Sequence, residues 1–230
     1  RQWLASAGHD GAVRLWDAPS GAAGPVLRGH EGQVISCAFA AQPDATGRQW
    51  LASAGEDGTV RLWDVASGEA GPVLRGHDDM VTSCAFAAQP DAAGRQWLAS
   101  AGKGGTIRLW DVASGETGPV LRGHEGLVTS CAFAAQPDDA GRQWLASAGF
   151  DGTVRLWDVA SGDCIRITAL CRALLGAEVG HAVWEPGNNR VVEVTGDAWR
   201  YLAWLRPLPD ALPERLPLET FGPVPIRDAD

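Results

Sequence analysis

The sequence is built from a unit of 47 residues that occurs four times. The run Arg-Gln-Trp-Leu-Ala-Ser-Ala-Gly begins at Arg1 and recurs at Arg48, Arg95 and Arg142. The copies are nearly identical, which explains why 11 tryptophans and 29 glycines accompany a single tyrosine. A fixed period of this length indicates one repeated supersecondary unit, because each unit needs its neighbours to bury its apolar face.

Each unit contains four short segments with strand character and none with helical periodicity. In the second copy, the apolar run Trp50–Ala54 ends at the tight-turn sequence Gly55–Gly58, and the alternating segment Thr59–Asp64 follows. Pro72–Arg75 and Met80–Phe86 supply the other two strands. Four-stranded units with this period predict an all-β propeller.

The order of short motifs in each unit resembles the WD-repeat family. A Gly-His pair, a strand, Leu-Ala-Ser, Asp-Gly and Trp-Asp follow one another in the units that contain His30 and His124, and the unit that contains His77 lacks only the Asp-Gly pair. The Trp-Asp pairs begin at Trp16, Trp63, Trp110 and Trp157, and the Gly-His pairs end at His30, His77 and His124. The resemblance implies a propeller of four-stranded antiparallel blades. In each blade strand a lies innermost, and strands b, c and d follow outwards.

The same resemblance predicts where the blades begin and end. Residues 1–163 are expected to be WD-repeat blades, of which the first lacks strand a because the sequence begins at strand b. Residues 164–205 are expected to hold the end of the fourth blade and a degenerate last blade. The strands of that last blade are predicted at Gly180–Trp184, Arg190–Thr195 and Trp199–Leu205.

Residues 206–230 contain six prolines, so they are expected to form an extended tail rather than the interior of a sheet. The complete pattern predicts an open arc of four to five blades from a larger ring. Its unpaired edge strands favour self-association.

A repeated set of Ser, His and Asp residues has two interpretations, a hydrolase triad and a structural network. We favour the structural interpretation, because a catalytic site is not expected once per repeat and a buried His, hydroxyl and indole N–H all need partners. In the WD-repeat family the matching residues look like a hydrogen-bonded tetrad that locks each blade. They are His30, Ser53, Asp57 and Trp63; His77, Ser100 and Trp110; and His124, Ser147, Asp151 and Trp157. The set with His77, which belongs to the third blade, lacks its acid because Lys103-Gly104-Gly105 replaces the Asp-Gly turn.

Composition argues against several other classes of function. The net charge of -9 disfavours nucleic acid as a partner, and no apolar run reaches the ~20 residues of a membrane span. The cysteines recur with the repeat in apolar surroundings, which favours free thiols and a reducing, cytoplasmic location. Neither closely spaced metal ligands nor a phosphate-binding loop is present, so no metal or cofactor is expected.

The nearly identical copies differ most in the b–c and d–a turns, which the up-and-down strand order places on one face. We call this surface the variable face and predict that a protein or peptide partner binds there. Its b–c positions are His9, Glu56, Lys103 and Phe150. Its d–a positions are Gln33, Met80 and Leu127, followed by Ile35, Thr82 and Thr129. Neutral drift in exposed turns is the alternative explanation.

The sequence therefore predicts a non-enzymatic interaction scaffold or sensor module. The alternative is the propeller domain of an enzyme, or of a signalling NTPase or kinase, with its catalytic part upstream. The similar blades and the segment Gly196–Leu202 resemble the C-terminal ends of large bacterial signalling proteins. The excess of arginine over a single lysine, Lys103, is also typical of a GC-rich bacterial genome.

Overall fold

The computed structural model describes residues 2–171, 180–186, 190–194, 203–206 and 214–217. All regular structure in these residues is β. The chain divides into two compact units, Arg1–Asp151 with Leu156–Asp163, and Gly152–Arg155 with Cys164–Asp230. The all-β prediction is confirmed.

The first unit contains three complete sheets of antiparallel strands. The first sheet has three strands, in the order β1 (Trp3–Ala7), β2 (Ala12–Asp17) and β3 (Ala23–Arg28). The second has four, in the order β4 (Val34–Phe39), β5 (Trp50–Gly55), β6 (Thr59–Asp64) and β7 (Ala70–Arg75). The third has the same order, with β8 (Val81–Phe86), β9 (Trp97–Gly102), β10 (Thr106–Asp111) and β11 (Thr117–Arg122).

A fourth sheet begins with β12 (Val128–Phe133), β13 (Trp144–Gly149) and β14 (Thr153–Asp158). The inner strands β4, β8 and β12 are neighbours in that order. The inner strands of the second, third and fourth blades therefore follow one another in sequence order.

Local sequence explains the sharp turns between strands b and c. Gly58 has a φ of +71°, a left-handed conformation in which a side chain would be strained, and its N–H donates to the Gly55 carbonyl over 3.3 Å. The turn between strands c and d relies on the Trp-Asp motif instead. The carboxylate of Asp64 accepts the N–H of Ala66 over 2.8 Å, which fixes the chain as it leaves strand c.

Apolar side chains fill the space between neighbouring blades. One cluster combines residues of the first two blades, including Val13, Leu27 and Trp63. A second combines residues of the second and third blades, including Leu62 and Trp110. Because each blade buries its face only against the next one, the repeats depend on one another for stability.

The a–b turns on the face opposite the variable face share one polar arrangement. In the second blade, Asp44 accepts hydrogen bonds from the N–H of Arg48 over 3.0 Å and from Nε1 of Trp50 over 2.9 Å. The Arg48 guanidinium lies 4.9 Å from the centre of the Trp50 ring. The third and fourth blades repeat these contacts with Asp91, Arg95 and Trp97, and with Asp138, Arg142 and Trp144.

The second unit contains strands that differ from the predicted last blade. They are β15 (Cys164–Cys171), β16 (Gly180–Glu185), β17 (Arg190–Val194), β18 (Ala203–Arg206) and β19 (Glu214–Pro217). The sequence predicts a new blade at Gly180, but β16 instead pairs antiparallel with β15, and β17 pairs with β16. Residues Ile167–Cys171 of β15 form the pairing with β16.

The C-terminal region also departs from its expected form where it is described. Strand β18 pairs with β19, which lies inside the proline-rich tail and ends at Pro217. A proline at the end of a strand is tolerated because no further N–H is needed there. The predicted strand Trp199–Leu205 is described only at 203–205, and the segment Gly196–Leu202 lies outside the described residues. The residue limits predicted for the three regions stay predictions.

Candidate functional site

The structure brings the second blade's Ser, His, Asp and Trp together in one buried chain of hydrogen bonds. Nε1 of Trp63 donates to Ser53 Oγ over 2.8 Å, and Ser53 Oγ lies 2.8 Å from Nε2 of His30. Nδ1 of His30 lies 3.0 Å from the Asp57 carboxylate. With the proton on Nδ1, every donor in the chain has an acceptor, because the Ser53 hydroxyl can then donate to Nε2.

The Asp57 carboxylate receives several other hydrogen bonds. The N–H of Glu31 donates to it over 3.0 Å, and the N–H and hydroxyl of Thr59 donate over 3.0 and 2.8 Å. Burial alone would raise the pKa of Asp57, but these bonds and the one from His30 lower it to about 2. The serine is therefore surrounded by structural partners, and its geometry supports the structural interpretation of these residues.

The fourth blade repeats the chain, whereas the third has only part of it. In the fourth blade, His124 lies 2.7 Å from Ser147 Oγ and 2.9 Å from Asp151; Trp157 donates to Ser147. In the third blade, Ser100 Oγ lies 2.7 Å from Nε2 of His77 and accepts Nε1 of Trp110 over 2.8 Å. Gly104 stands where the acid stands in the other two.

Three backbone hydrogen bonds join the two sets of turns that form the variable face. The N–H of Glu56 donates to the backbone carbonyl of Gln33 over 2.9 Å, and the N–H of Phe150 donates to the backbone carbonyl of Leu127 over 2.8 Å. In the third blade, the N–H of Lys103 donates to Met80 over 3.0 Å. The second, third and fourth blades therefore each place one variable b–c residue directly beside one variable d–a residue.

The side chains on the variable face differ in exposure and in chemistry. Phe150 is 77% exposed, the highest value among the exposed large hydrophobic residues described. Nζ of Lys103 lies 3.2 Å from a carboxylate oxygen of Asp79, and both side chains are largely exposed. His9 and Glu56 are exposed, and Gln33, Met80 and Leu127 are half-buried.

The remaining predicted contact positions are involved in the fold. The Thr82 hydroxyl lies 3.1 Å from the Ala101 carbonyl oxygen and 2.5 Å from that of Val128 in the next inner strand. The Thr129 hydroxyl donates to the Ala148 carbonyl over 3.1 Å. Ile35, at the same position of the second blade, is half-buried. These three side chains therefore have fewer unused hydrogen-bonding groups for a partner than the turn residues have.

A cleft on the opposite face is the main competing surface. It has a volume of about 620 Å³ and lies among the a–b and c–d turns of the second and third blades. Arg48, Trp50, Pro72, Gln96 and Val112 are among its lining residues. Asp44 and Arg48 already pair with each other there, so the cleft offers few unused charges.

The repeats also match a known family. The family model described as WD domain, G-beta repeat matches residues 1–17, 24–64, 68–111 and 115–158, which together exceed half of the chain. The chain belongs to the WD-repeat family. A search of curated proteins finds no match.

Membership in the WD-repeat family indicates a protein-interaction module. Within the part of the chain that the structure describes, no group of His, Cys, Asp and Glu residues is arranged to hold a metal ion. No helix that could span a membrane occurs among the same residues.

Sequence reasoning missed a polar contact between neighbouring WD blades. The N–H of Cys84 donates to Ser36 Oγ over 3.2 Å, and the N–H of Cys131 donates to Ser83 Oγ over the same distance. Burial raises the pKa of Cys84 to about 12, so its thiol stays protonated. The recurrence of Ser-Cys in each copy was the available signal.

Proposed function

We propose that this WD-repeat chain is a non-enzymatic interaction module that binds a protein or peptide across the variable face. The observation that carries the proposal is the pairing of variable residues by backbone hydrogen bonds. Residues that differ between otherwise similar repeats lie side by side in three successive blades. Drift in exposed turns explains variation at single positions but gives no reason for apolar and charged side chains to replace one another there.

Phe150, Met80 and Leu127 are the proposed apolar anchors, and Glu56 and Lys103 the charged groups that select the partner. Aromatic and other large apolar side chains surrounded by polar groups are typical of binding hot spots. The high exposure of Phe150 supports this role, because a large apolar side chain gains most when a partner covers it.

The test compares affinity for a partner recovered with the full chain, before and after replacement of Phe150 and Met80 together by Ala. Binding should weaken by about 2 kcal/mol or more without loss of folding. Replacement of Glu69 and Glu116 by Ala is the matched control on the opposite face, since Ala22 stands at that position in the first blade. Affinity that survives the first change but falls with the second would show that the assignment of the face is wrong.

A further inference from the structure

The second blade shows what a carboxylate does at the b–c turn. Asp57 accepts four hydrogen bonds, from the N–H of Glu31, the N–H and hydroxyl of Thr59, and Nδ1 of His30. These groups converge on one point from two turns and a buried ring. Together they form a cradle of donors that fits one carboxylate.

The third blade has the corresponding cradle without its carboxylate. The equivalent groups belong to Asp78, Thr106 and His77, and Gly104 supplies no acid to them. Among the described residues, none forms a hydrogen bond with Nδ1 of His77, whose Nε2 is bound to Ser100. A carboxylate placed among these donors forms charge-assisted hydrogen bonds, which are stronger than neutral ones.

The backbone around Gly104 has the same form as in the complete blade. The N–H of Lys103 donates to Met80 over 3.0 Å, as that of Glu56 donates to Gln33 over 2.9 Å. Two residues later, the N–H of Gly58 and that of Gly105 donate to the carbonyls of Gly55 and Gly102, over 3.3 Å in both blades. The loss of the acid has therefore not collapsed the turn, and the donors keep their positions.

The place of the missing side chain is open. Apart from its two chain neighbours, no described residue has a heavy atom within 4 Å of the position that a Cβ on Gly104 would take, and the φ of Gly104 is not left-handed. His77 is partly exposed, whereas His30 and His124 are only 9% and 7% exposed. A group from outside can therefore reach the ring through the gap.

Charges of both signs surround the gap. Lys103 lies at its rim and shares its ammonium with Asp79. Among the described residues, the Nε of Arg108 is buried without a hydrogen-bond partner, and so is the Nε of Arg61 in the complete second blade. Burial and the nearby Arg108 charge lower the pKa of His77 to about 4, despite the opposing effect of Asp78. The ring is thus neutral near pH 7, and its Nδ1–H can donate to an acceptor.

We propose that the gap at Gly104 is a docking site for the carboxylate of an Asp or Glu side chain from a peptide partner. The bound side chain takes the place that Asp57 and Asp151 occupy in their blades. It accepts the Nδ1–H of His77 and the two backbone N–H groups, with Lys103 beside it. This inference rests on the proposed function and names the chemistry of the partner.

The experiment follows the His77 ring by NMR while acetate or an N-acetyl-aspartate amide is added to the full chain at constant ionic strength. Both carboxylates should shift the His77 resonances in a saturable way, and the amide of N-acetyl-asparagine should not. The pKa of His77 should rise when the site is filled, because a nearby anion stabilises the imidazolium. Tighter binding of the aspartate compound than of acetate identifies a peptide side chain rather than a free acid as the source.

Two variants provide the controls. Gly104→Asp supplies the acid internally and should weaken aspartate binding about tenfold or more. Ala92→Asp adds the same charge in the a–b turn on the opposite face, so it should bind within about twofold of the original chain. Absence of a saturable shift in the original chain, or equal binding by Gly104→Asp, overturns the proposal.

The outcome separates this inference from the proposed function. In one outcome, replacement of Phe150 and Met80 by Ala weakens partner binding while the carboxylates still shift the His77 resonances. This result supports both the variable face as the binding surface and the carboxylate site at Gly104. If the double replacement leaves partner binding unaffected but the carboxylates still bind, the assignment of the binding surface to the variable face is wrong, and the carboxylate site is still supported. If partner binding depends on Phe150 but no carboxylate shifts the His77 resonances, the carboxylate site is wrong, and the assignment of the binding surface is still supported.

Discussion

The backbone N–H of Cys84 donates a 3.2 Å hydrogen bond to the hydroxyl oxygen of Ser36, 48 residues earlier in the chain. The bond crosses from one inner strand, β4, to the next, β8. Ser83 and Cys131 form the same bond between β8 and β12. Neighbouring blades are therefore joined by a directional polar contact in addition to the apolar clusters between them.

Replacement of Ser83 by Ala should destabilise the chain by about 1–3 kcal/mol, because it leaves the N–H of Cys131 without an acceptor in a buried seam. Urea unfolding measured by tryptophan fluorescence would give the free energy. Ser130 occupies the same position in β12 but is exposed, so Ser130→Ala should change stability by less than about 0.5 kcal/mol. Equal effects of the two variants would contradict a role for the inter-blade bond.

The sequence predicted the strands of the repeats because their alternation and turn residues are local signals. It also predicted the sets containing Ser53 and Ser147, because the family pattern fixes which residues meet. The Ser36–Cys84 contact was not predicted, since it depends on the rotation between blades, which no local pattern records. The pairing of β15 with β16 was missed for a related reason, as strand partners are chosen by tertiary packing.

Acid should destabilise the third blade through His77. Its pKa is about 4 in the folded chain and about 6.5 when unfolded, so the unfolded state binds more protons between these values. Stability should therefore fall as pH drops from 6.5 towards 4. Gly104→Asp should reduce this loss between pH 7 and 5, because the new carboxylate stabilises the charged ring. Thermal unfolding of both proteins across this range tests the sign, and parallel curves would contradict it.

The Asp57 carboxylate should contribute at lower pH. Its pKa of about 2 lies below the unfolded value of about 3.9, so its stabilising effect is present above 3.9 and is lost as pH falls towards 2. Asp57→Asn should lower stability at pH 7 and flatten the dependence on pH in that window. Acid titration followed by circular dichroism would show this. Gly104 already lacks an acid, so Gly104→Asn serves as the control and should not reproduce the flattening.

The a–b turn of the third blade, between β8 and β9, should depend on Asp91 for its shape. Its carboxylate accepts the N–H groups of Ala93 and Arg95 over 2.9 Å and Nε1 of Trp97 over 3.0 Å. Asp91→Ala should cost about 2 kcal/mol of unfolding free energy, because it removes three acceptor contacts around a largely buried indole. Ala92→Asp should be nearly neutral, since Asp139 already stands there in the fourth blade. A neutral Asp91→Ala would show that the turn holds its shape without the carboxylate.

The exposed edge of the first sheet should make the chain self-associate. Leu4 is 60% exposed, whereas the equivalent Leu51, Leu98 and Leu145 are fully buried. In the other blades an inner strand places a phenylalanine opposite this leucine, as Phe39 faces Leu51. Among the described strands, only β2 pairs with β1, so β1 presents apolar surface at the edge of the first sheet.

Leu4→Lys should therefore weaken self-association about tenfold, through loss of apolar burial and introduction of a charge at the edge. Sedimentation velocity over a range of protein concentrations measures the effect. Val26→Lys is the control, because Val26 is 47% exposed but lies on the outer strand β3. A chain that remains monomeric at every concentration, or one that responds equally to both changes, would show that the β1 edge does not mediate association.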